Sequence, residues 1–178
     1  MADSLYRILP RESDFPIFIN LYGAVVLVVG GGKVAARRAE KLLEFGARVH
    51  VVAPEVAPEM AKLVGKPGLK WTREPYQPCY MEGVTLAIAA TDQREVNSRI
   101  GLDARERGIL VSVADQRQEC TFYFPAIARS KRFTAGLVSN HGEHALLSWA
   151  AARLREEMDA MMEQASVQEL PLRKAGNG

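Results

Sequence analysis

The chain has 178 residues, of which 48% are hydrophobic and 25% charged, and its formal net charge is +2 at pH 7. This length and composition are typical of a globular domain with an appendage or of two small domains, and the near-neutral charge argues against a nucleic-acid partner. No basic region followed by an apolar run marks a secretion signal, and no apolar stretch approaches the roughly 20 residues of a membrane span. We therefore expect a cytoplasmic protein without a membrane partner. Its two cysteines, Cys79 and Cys120, indicate neither a disulfide framework nor a zinc site.

The chain begins with a lead-in over residues 1–14 and a strand-like segment over 15–21. Because Pro16 cannot donate a hydrogen bond to a neighbouring strand, we expect this segment at a sheet edge. Five branched apolar residues then occupy positions 25–29, a run that predicts a strand buried on both faces. Three glycines follow, and a predicted helix over 33–45 ends before Gly46. The rest of the chain is organised around this strand, glycine turn and helix.

Strands and helices continue to alternate up to residue 113. The predicted strands are 48–53, 69–73, 84–90 and 109–113, and the predicted helices are 58–64 and 94–107. Such alternation requires crossover connections, and it predicts an α/β fold whose parallel sheet is covered on both faces.

From residue 115 onwards the pattern changes. Two strands are predicted at 121–125 and 133–138, and because their connection is too short for a parallel pair we expect a small, separate β hairpin. A unit this small needs another surface to cover it, for which a second copy of the chain is the natural candidate. A helix is predicted over 144–163, and a frayed tail over 166–178.

The glycines fit a G-x-G-x-x-A fingerprint made by Gly30, Gly32 and Ala35. Gly30 allows a sharp turn, Gly32 leaves room for a pyrophosphate against bare backbone, and Ala35 lets the helix pack closely on the strand. Exposed N–H groups and the positive end of the helix dipole then hold the phosphates. This context favours a dinucleotide site of the Rossmann type over a purely structural turn. The predicted contacts on the phosphate side are Gly30, Gly31, Gly32, Lys33 and Val34.

The residues that follow the second and fourth strands bear on the choice of cofactor. A nicotinamide dinucleotide site places an acidic residue about 20 positions past the glycines to bind the ribose. Here Pro54 precedes Glu55, which either contacts the ribose or is a solvated loop residue. No arginine directly follows the second strand to meet a 2′-phosphate, which favours NAD over NADP. Thr91 and Asp92 end a central strand, where ligands of such sheets bind, although Asp92 alternatively caps the next helix.

Six segments resemble the precorrin-2 dehydrogenase family, the NAD-dependent module of siroheme synthase. They occur in one order with family-like spacing at positions 15–18, 28–35, 46–49, 52–55, 89–92 and 124–127. The resemblance extends over about residues 15–155 and is more specific than the glycine fingerprint alone. It implies an NAD-binding Rossmann domain over 15–114, a dimerisation and substrate unit over 115–143, and a C-terminal helical part over 144–165.

The reaction that the resemblance implies is the oxidation of precorrin-2 to sirohydrochlorin, with a hydride passed to NAD⁺ and a proton lost from the macrocycle. NAD supplies the hydride chemistry, so the protein must orient the ring and guide the proton. The family aspartate that is the candidate acid/base group corresponds to Asp115, although an aspartate at this point is equally typical of a turn after a strand. The resemblance also implies a homodimer formed through residues 115–143 and the C-terminal helix.

Candidate substrate contacts come from basic residues and from the turn after the second hairpin strand. Precorrin-2 carries many carboxylates, for which Arg117 and Arg129 are candidate counter-charges, although a solvated rim is the commoner role of such residues. In the turn, Ser139 matches a family serine, and His141, where the sequence departs from the family pattern, is a further candidate. Two histidines near this point suggest a metal site. Without a secure third ligand, however, they are more typical of surface residues, and no metal site is predicted.

Two alternatives remain open. A bifunctional enzyme would also insert Fe²⁺ or Co²⁺ into sirohydrochlorin, since some members of the family insert iron. A protein of another class, a non-catalytic dinucleotide sensor or tetrapyrrole carrier, would keep the fold and bind a tetrapyrrole without forming NADH.

Overall fold

The structure is a computed structural model that describes residues 14–139 and 143–167. It divides into two compact units between Tyr123 and Phe124. The sequence pattern changes earlier, at residue 115, because the regular alternation of strands and helices ends there. Residues 115–123 nevertheless belong to the first unit in the structure, since part of this segment bonds to the last strand of the parallel sheet.

Among its described residues, the first unit contains five strands and three helices. The strands are β1 (Val25–Val29), β2 (Arg48–Val52), β3 (Leu69–Thr72), β4 (Leu86–Ala89) and β5 (Leu110–Val113), and the helices are α1 (Lys33–Glu44), α2 (Pro58–Ala61) and α3 (Arg94–Glu106). All strands run parallel in the order β3-β2-β1-β4-β5. Short 3-10 turns cover Pro78–Met81 and Arg117–Glu119. The predicted α/β fold of the Rossmann type is confirmed.

The core lies around β1, the central strand, whose residues 26–29 are almost completely buried. On one face of the sheet, side chains of β1, β4 and β5 pack with Ile100 and Ala104 of α3. Burying a side chain of this kind stabilises the fold by about 1.5–3 kcal/mol. The buried residues of α1 are Ala35, Ala36, Ala39 and Leu42. Because three of them are alanines, the helix that follows the glycine turn carries little side-chain bulk on its buried side.

The outer edge of β5 is bonded to the segment that follows it. The Thr121 hydroxyl accepts a hydrogen bond from the Val111 N–H at 2.7 Å, and the Thr121 N–H donates to the Val111 carbonyl at 2.8 Å. The Cys120 thiol accepts from the Val113 N–H at 3.2 Å, and burial raises the pKa of this thiol. The strand predicted at 121–125 is therefore wrong, because its first residues close the edge of the parallel sheet instead.

The strand predicted at 15–21 is also wrong. Residues 14–20 have no regular secondary structure, and Phe15 is 83% exposed. Their aromatic and branched composition suits a strand, but Pro16 has no N–H to donate, and no strand of the described residues pairs with this segment. The predicted helix end is confirmed, since Gly46 follows α1 with φ +76°.

The second unit contains an antiparallel strand pair and a long helix. β6 (Ala126–Arg129) pairs with β7 (Thr134–Leu137) in a register that sets Arg129 opposite Thr134. The helix α4 (His144–Val167) extends beyond the predicted end at 163. The Arg155 guanidinium ties this helix to the hairpin by donating to the Ile127 carbonyl at 3.1 Å. The predicted small β unit and C-terminal helix are confirmed, and residues 168–178 of the predicted tail lie outside the described residues.

Candidate functional site

The turn after β1 lies at the carboxyl edge of the parallel sheet, where ligands of α/β folds bind. Its first residue, Gly30, has φ +119° and donates its N–H to the Val52 carbonyl at 3.0 Å. A Cβ at this position would lie 2.2 Å from the Ala90 carbonyl oxygen. Both the backbone conformation and the close approach to the end of β4 therefore require glycine here.

Gly31 brings the turn against the loop that follows β2. A Cβ at this position would lie 2.1 Å from the Glu55 carbonyl oxygen and 2.9 Å from the Val56 Cα. The Gly31 carbonyl also accepts a hydrogen bond from the Ala57 N–H at 2.9 Å. The glycine turn and the loop after β2 are thus in direct contact, with no room for a side chain between them.

Gly32 is the N-cap residue of α1 and faces open space. Its backbone is extended (φ −78°, ψ −177°), a conformation that any residue adopts. A Cβ here would meet no atom of the described residues within 4 Å, and no acidic side chain stands in the first turn of α1. The N–H groups at the start of this helix therefore open onto a space that favours an anion. The residues present fit the pyrophosphate of a dinucleotide.

Lys33 and Val34 begin α1 beside this space. The Lys33 side chain is 81% exposed, and its ammonium lies 3.4 Å from Oε1 of Glu59 on α2. A hydrogen bond with its own backbone and then the Lys33 ammonium lower the pKa of the Glu59 carboxyl. An ion pair this exposed contributes little to stability, so Lys33 can exchange Glu59 for a phosphate at small cost.

Two side chains of the β3 end bond to the backbone at the end of β2. The Trp71 Nε1–H donates to the Ala53 carbonyl at 3.0 Å, and the Arg73 Nε–H donates to the Pro54 carbonyl at 3.2 Å. Glu55 is exposed immediately beyond them. No arginine directly follows β2 in the sequence, yet the pairing of β3 with β2 brings Arg73 to the end of β2. The position of Arg73 beside the end of β2 follows from the strand order, which no local sequence pattern indicates.

Thr91, which follows β4, is fixed by Asn97, a residue that the sequence patterns do not single out. Asn97 is completely buried on α3. Its Oδ1 accepts from the Thr91 N–H at 3.0 Å and from the Thr91 hydroxyl at 2.8 Å, and its Nδ2 donates to the Thr91 carbonyl at 3.0 Å. A polar residue on the buried side of a helix is the signal that could have found it. Asp92 is exposed, and the N-cap of α3 is Gln93 without a side-chain cap bond, so the capping role expected as an alternative for Asp92 is not observed.

Asp115 follows β5 in a turn closed by a bond from the Gln116 N–H to the Val113 carbonyl. Its Oδ1 accepts from Arg94 Nη1 at 3.1 Å, and its side chain is 37% exposed. The same guanidinium bonds through Nη2 to Glu119, whose carboxylate raises the pKa of Arg94. Asp115 is therefore a turn residue that also presents an ion-paired carboxylate at the ligand edge of the sheet.

Of the candidate substrate contacts, Arg117 belongs to the first unit. Its Nη2 lies 3.8 Å from Asp14 Oδ2, and its guanidinium carbon lies 4.0 Å from the centre of the Tyr123 ring. This arginine is thus held near Asp115 in the chain, beside an acidic and an aromatic side chain.

The other candidate substrate contacts lie in the second unit or are not described. Arg129 ends β6 and is exposed. The Ser139 hydroxyl accepts from the Glu143 N–H at 3.2 Å, directly before α4. His141 lies outside the described residues.

Among residues 14–139 and 143–167, no three His, Cys, Asp or Glu side chains come together in a way that would hold a metal ion. Within the same ranges, no helix has the length and apolar character needed to cross a membrane. The two histidines that suggest a metal site in the sequence are His141 and His144. The first lies outside these ranges, and the side chain of the second is not described.

Comparison with known proteins gives a family and several relatives. A family model described as "Putative NAD(P)-binding" matches residues 17–126. The chain is 43% identical over 143 residues to the "Probable multifunctional siroheme biosynthesis protein HemA" of Ruminiclostridium josui, a match that covers 80% of this chain and 28% of that protein. It is 42% identical over 148 residues to the siroheme synthase of Photorhabdus laumondii subsp. laumondii, covering 83% and 30%. The solved structure "SirC, precorrin-2 dehydrogenase" is 26% identical with a TM-score of 0.63, covering 83% of this chain and 70% of that chain.

The family match includes the whole parallel sheet and the glycine turn. It confirms the prediction that the chain binds a nicotinamide dinucleotide, while the individual contacts stay predictions. The chain spans less than a third of the length of the two curated relatives.

Proposed function

This chain belongs to the NAD(P)-binding family that matches residues 17–126, and we propose that its reaction is the oxidation of precorrin-2 to sirohydrochlorin with NAD⁺ as hydride acceptor. The observation that carries the proposal is the open helix N-terminus at Gly32, which shares the carboxyl edge of the sheet with the ion-paired Asp115. A dinucleotide site beside a carboxylate suits a reaction that removes a hydride and a proton from one substrate. The siroheme synthase relatives and the precorrin-2 dehydrogenase structure support the choice of substrate.

The dinucleotide is held mainly by backbone groups of the first unit. The turn Gly30–Gly32 and the first N–H groups of α1 bind the pyrophosphate, Lys33 adds a positive charge, and Val34 adds apolar surface. Further contacts come from the ends of β2 and β4, at Pro54, Glu55, Thr91 and Asp92. The bound NAD⁺ supplies the ring that accepts the hydride.

Asp115 accepts the proton that the macrocycle loses when the hydride leaves. Arg94 occupies its Oδ1 at 3.1 Å, while Oδ2 has no hydrogen-bond partner among the described residues and can accept the proton. Two electrons and one hydrogen nucleus pass to NAD⁺ as hydride, and the second proton passes to the carboxylate. The step therefore balances with no further reactant.

The carboxylates of precorrin-2 are matched by basic and polar side chains. Those proposed to contact the substrate are Arg117, Arg129, Ser139 and His141. For Arg117, a substrate carboxylate replaces the contact with Asp14, which at 3.8 Å is too long for a hydrogen bond.

We further propose a homodimer formed through residues 115–143 and α4. Among its described residues the second unit has two short strands, which need a further surface such as α4 to cover them. It also exposes large apolar side chains, since Phe133, Leu146 and Trp149 are each more than half exposed. A second copy of the chain that covered these side chains would remove apolar surface from water.

Anaerobic incubation of the protein with enzymatically generated precorrin-2 and NAD⁺ tests the proposed function. Formation of NADH together with the absorption spectrum of sirohydrochlorin supports the dehydrogenase. A bound tetrapyrrole without NADH would instead support the carrier. Addition of Fe²⁺ or Co²⁺ to the product then tests metal insertion, which would change the spectrum of the ring. The cytoplasmic location stays a prediction.

A further inference from the structure

Arg73, the residue directly after β3, is held at the end of β2. Its Nε–H donates to the Pro54 carbonyl at 3.2 Å, and its guanidinium carbon lies 5.6 Å from the centre of the Trp71 ring. Trp71 is itself bonded to the Ala53 carbonyl at 3.0 Å. The side chains of Trp71 and Arg73 thus place a guanidinium beside the residues that directly follow β2.

The guanidinium of Arg73 has binding capacity that the protein does not use. Only Nε is bonded, and among the described residues neither Nη1 nor Nη2 has a hydrogen-bond or ion-pair partner. Arg73 is also an exposed residue. A guanidinium in this state offers two parallel N–H donors, an arrangement that suits phosphate oxygens.

This cation lies beside the loop that a dinucleotide must cross. The Glu55 carbonyl touches Gly31, and the Gly31 carbonyl accepts from the Ala57 N–H, so the loop after β2 adjoins the phosphate-binding turn. In dinucleotide-binding folds the adenosine ribose lies over this end of the second strand, where an acidic residue contacts the 2′-hydroxyl or an arginine accommodates a 2′-phosphate. This chain has both kinds of residue there, Glu55 and Arg73.

We propose that Arg73 binds the 2′-phosphate of NADP, so that the site accepts NADP as well as NAD. Glu55 favours the 2′-hydroxyl of NAD and repels a phosphate, while Arg73 supplies the charge that offsets this repulsion. The proposal rests on the dinucleotide site of the first unit and not on the identity of the second substrate. The residues that directly follow β2 in the sequence favour NAD alone, whereas Arg73 reaches the end of β2 from β3.

Isothermal titration of the full chain with NAD⁺ and with NADP⁺ tests this proposal without any turnover. We expect both dinucleotides to bind the unmodified protein. In Arg73→Gln, the dissociation constant for NADP⁺ should rise by roughly 10- to 100-fold, because a charge-assisted bond to phosphate is lost, while that for NAD⁺ stays within about threefold. Arg73→Lys should lose less, and Glu55→Gln should tighten NADP⁺ binding.

Arg48→Gln is the matched control. Arg48 is also exposed and also donates its Nε–H to a backbone carbonyl, that of Gly23 at 2.9 Å, but it lies at the opposite end of β2. This variant should bind both dinucleotides like the unmodified protein. The proposal is overturned when the unmodified protein binds NAD⁺ but not NADP⁺, or when Arg73→Gln weakens both by the same factor. Failure to bind either dinucleotide would overturn the cofactor site as well, whereas failure to oxidise precorrin-2 would leave these titrations unaffected.

Discussion

Gly30, Gly31 and Gly32 are neighbours in the turn after β1, yet different parts of the molecule constrain them. Gly30 has a positive φ and approaches the end of β4, whereas Gly31 is closed off by the Glu55 carbonyl. Gly32 is free of both constraints. The fingerprint in the sequence gives reasons for Gly30 and Gly32. It gives none for Gly31, because its contact is made by a loop that is distant along the chain.

This difference predicts that a substitution of Gly32 affects NAD⁺ binding but not the stability of the fold. In Gly32→Leu the Cβ of the new side chain has no described atom within 4 Å, so the free energy of unfolding should change by less than about 1 kcal/mol. The same side chain fills the space in front of α1, so NAD⁺ binding should be abolished. Thermal unfolding and NAD⁺ titration measure the two quantities. Retained tight binding would contradict the placement of the pyrophosphate, and Gly31→Ala provides the contrast, since its Cβ must displace backbone and should destabilise the fold.

Asn97 should be important for stability because its side chain bonds to both polar groups of the Thr91 backbone. Asn97→Ala removes both partners of the Thr91 backbone and leaves polar groups unsatisfied, which should lower the free energy of unfolding by about 2–3 kcal/mol. Urea denaturation measures the change, with Glu95→Ala on the exposed side of the same helix as a control. An Asn97→Ala protein as stable as this control would show that the bonds to Thr91 contribute nothing.

His50 predicts a pH dependence of stability. Burial and then the charge of Lys70 lower the pKa of His50 from its ordinary value of 6.5. The unfolded chain therefore binds the proton more readily than the folded one, and the free energy of unfolding should fall as the pH drops below about 6.5. Urea denaturation between about pH 7.5 and about pH 5.5 measures this fall. His50→Gln should show a smaller fall over the same range, and an equal fall in both proteins would assign the effect to other groups.

At the scale of elements, the sequence is most informative where a segment carries its own signal. The strand at 25–29 is a continuous apolar run, and α1 ends at a glycine, so both were predictable from the local residues alone. The segments at 15–21 and 121–125 have the same strand-like composition but no ladder of their own. Whether such a segment forms a strand depends on a partner edge, which composition does not specify.

Arg94 connects two elements, the start of α3 and the turn after β5, and this connection can be tested. Asp115→Asn should lower kcat by about 10²- to 10⁴-fold, the usual contribution of a general base. Arg94→Gln should also lower kcat, because the carboxylate loses the partner that orients it, but it should have no further effect in the Asp115→Asn background. Steady-state kinetics of the two single variants and the double variant measure this coupling.

Arg99→Gln is the control for that cycle. Arg99 lies on the same helix and pairs with Asp103 at 2.9 Å, so its loss tests the general effect of removing an arginine from α3. It should affect stability and leave kcat unchanged. Additive effects of the Arg94 and Asp115 substitutions would mean that Arg94 acts on the fold and not through the carboxylate.

At the scale of the whole molecule, the features that sequence patterns miss are those created by strand order and by distant contacts. Arg73 reaches the end of β2 only because β3 pairs with β2. The first unit extends to Tyr123 because residues after β5 form hydrogen bonds with β5. No local sequence pattern indicates these bonds. The roles proposed for Ser139 and Arg129 come from the family resemblance, since their own surroundings in the second unit do not indicate a substrate.

The proposed homodimer predicts that one substitution at the surface halves the mass of the particle in solution. Trp149 is 64% exposed on α4, so Trp149→Arg should leave the helix intact but place a charge in the interface. Sedimentation velocity should find a dimer for the unmodified protein and a monomer for this variant. Glu106→Lys, an exposed change on α3 and outside the proposed interface, should remain dimeric. A monomeric unmodified protein would rule out the dimer.

The yield of NADH in a single anaerobic turnover of precorrin-2 by the full chain tests the proposed hydride transfer to NAD⁺ most directly. NADH and sirohydrochlorin should appear together in equal amounts, and Gly32→Leu should form neither. Sirohydrochlorin formed without NADH, or formed equally fast by Gly32→Leu, would contradict the assignment of hydride transfer to the dinucleotide site at the start of α1.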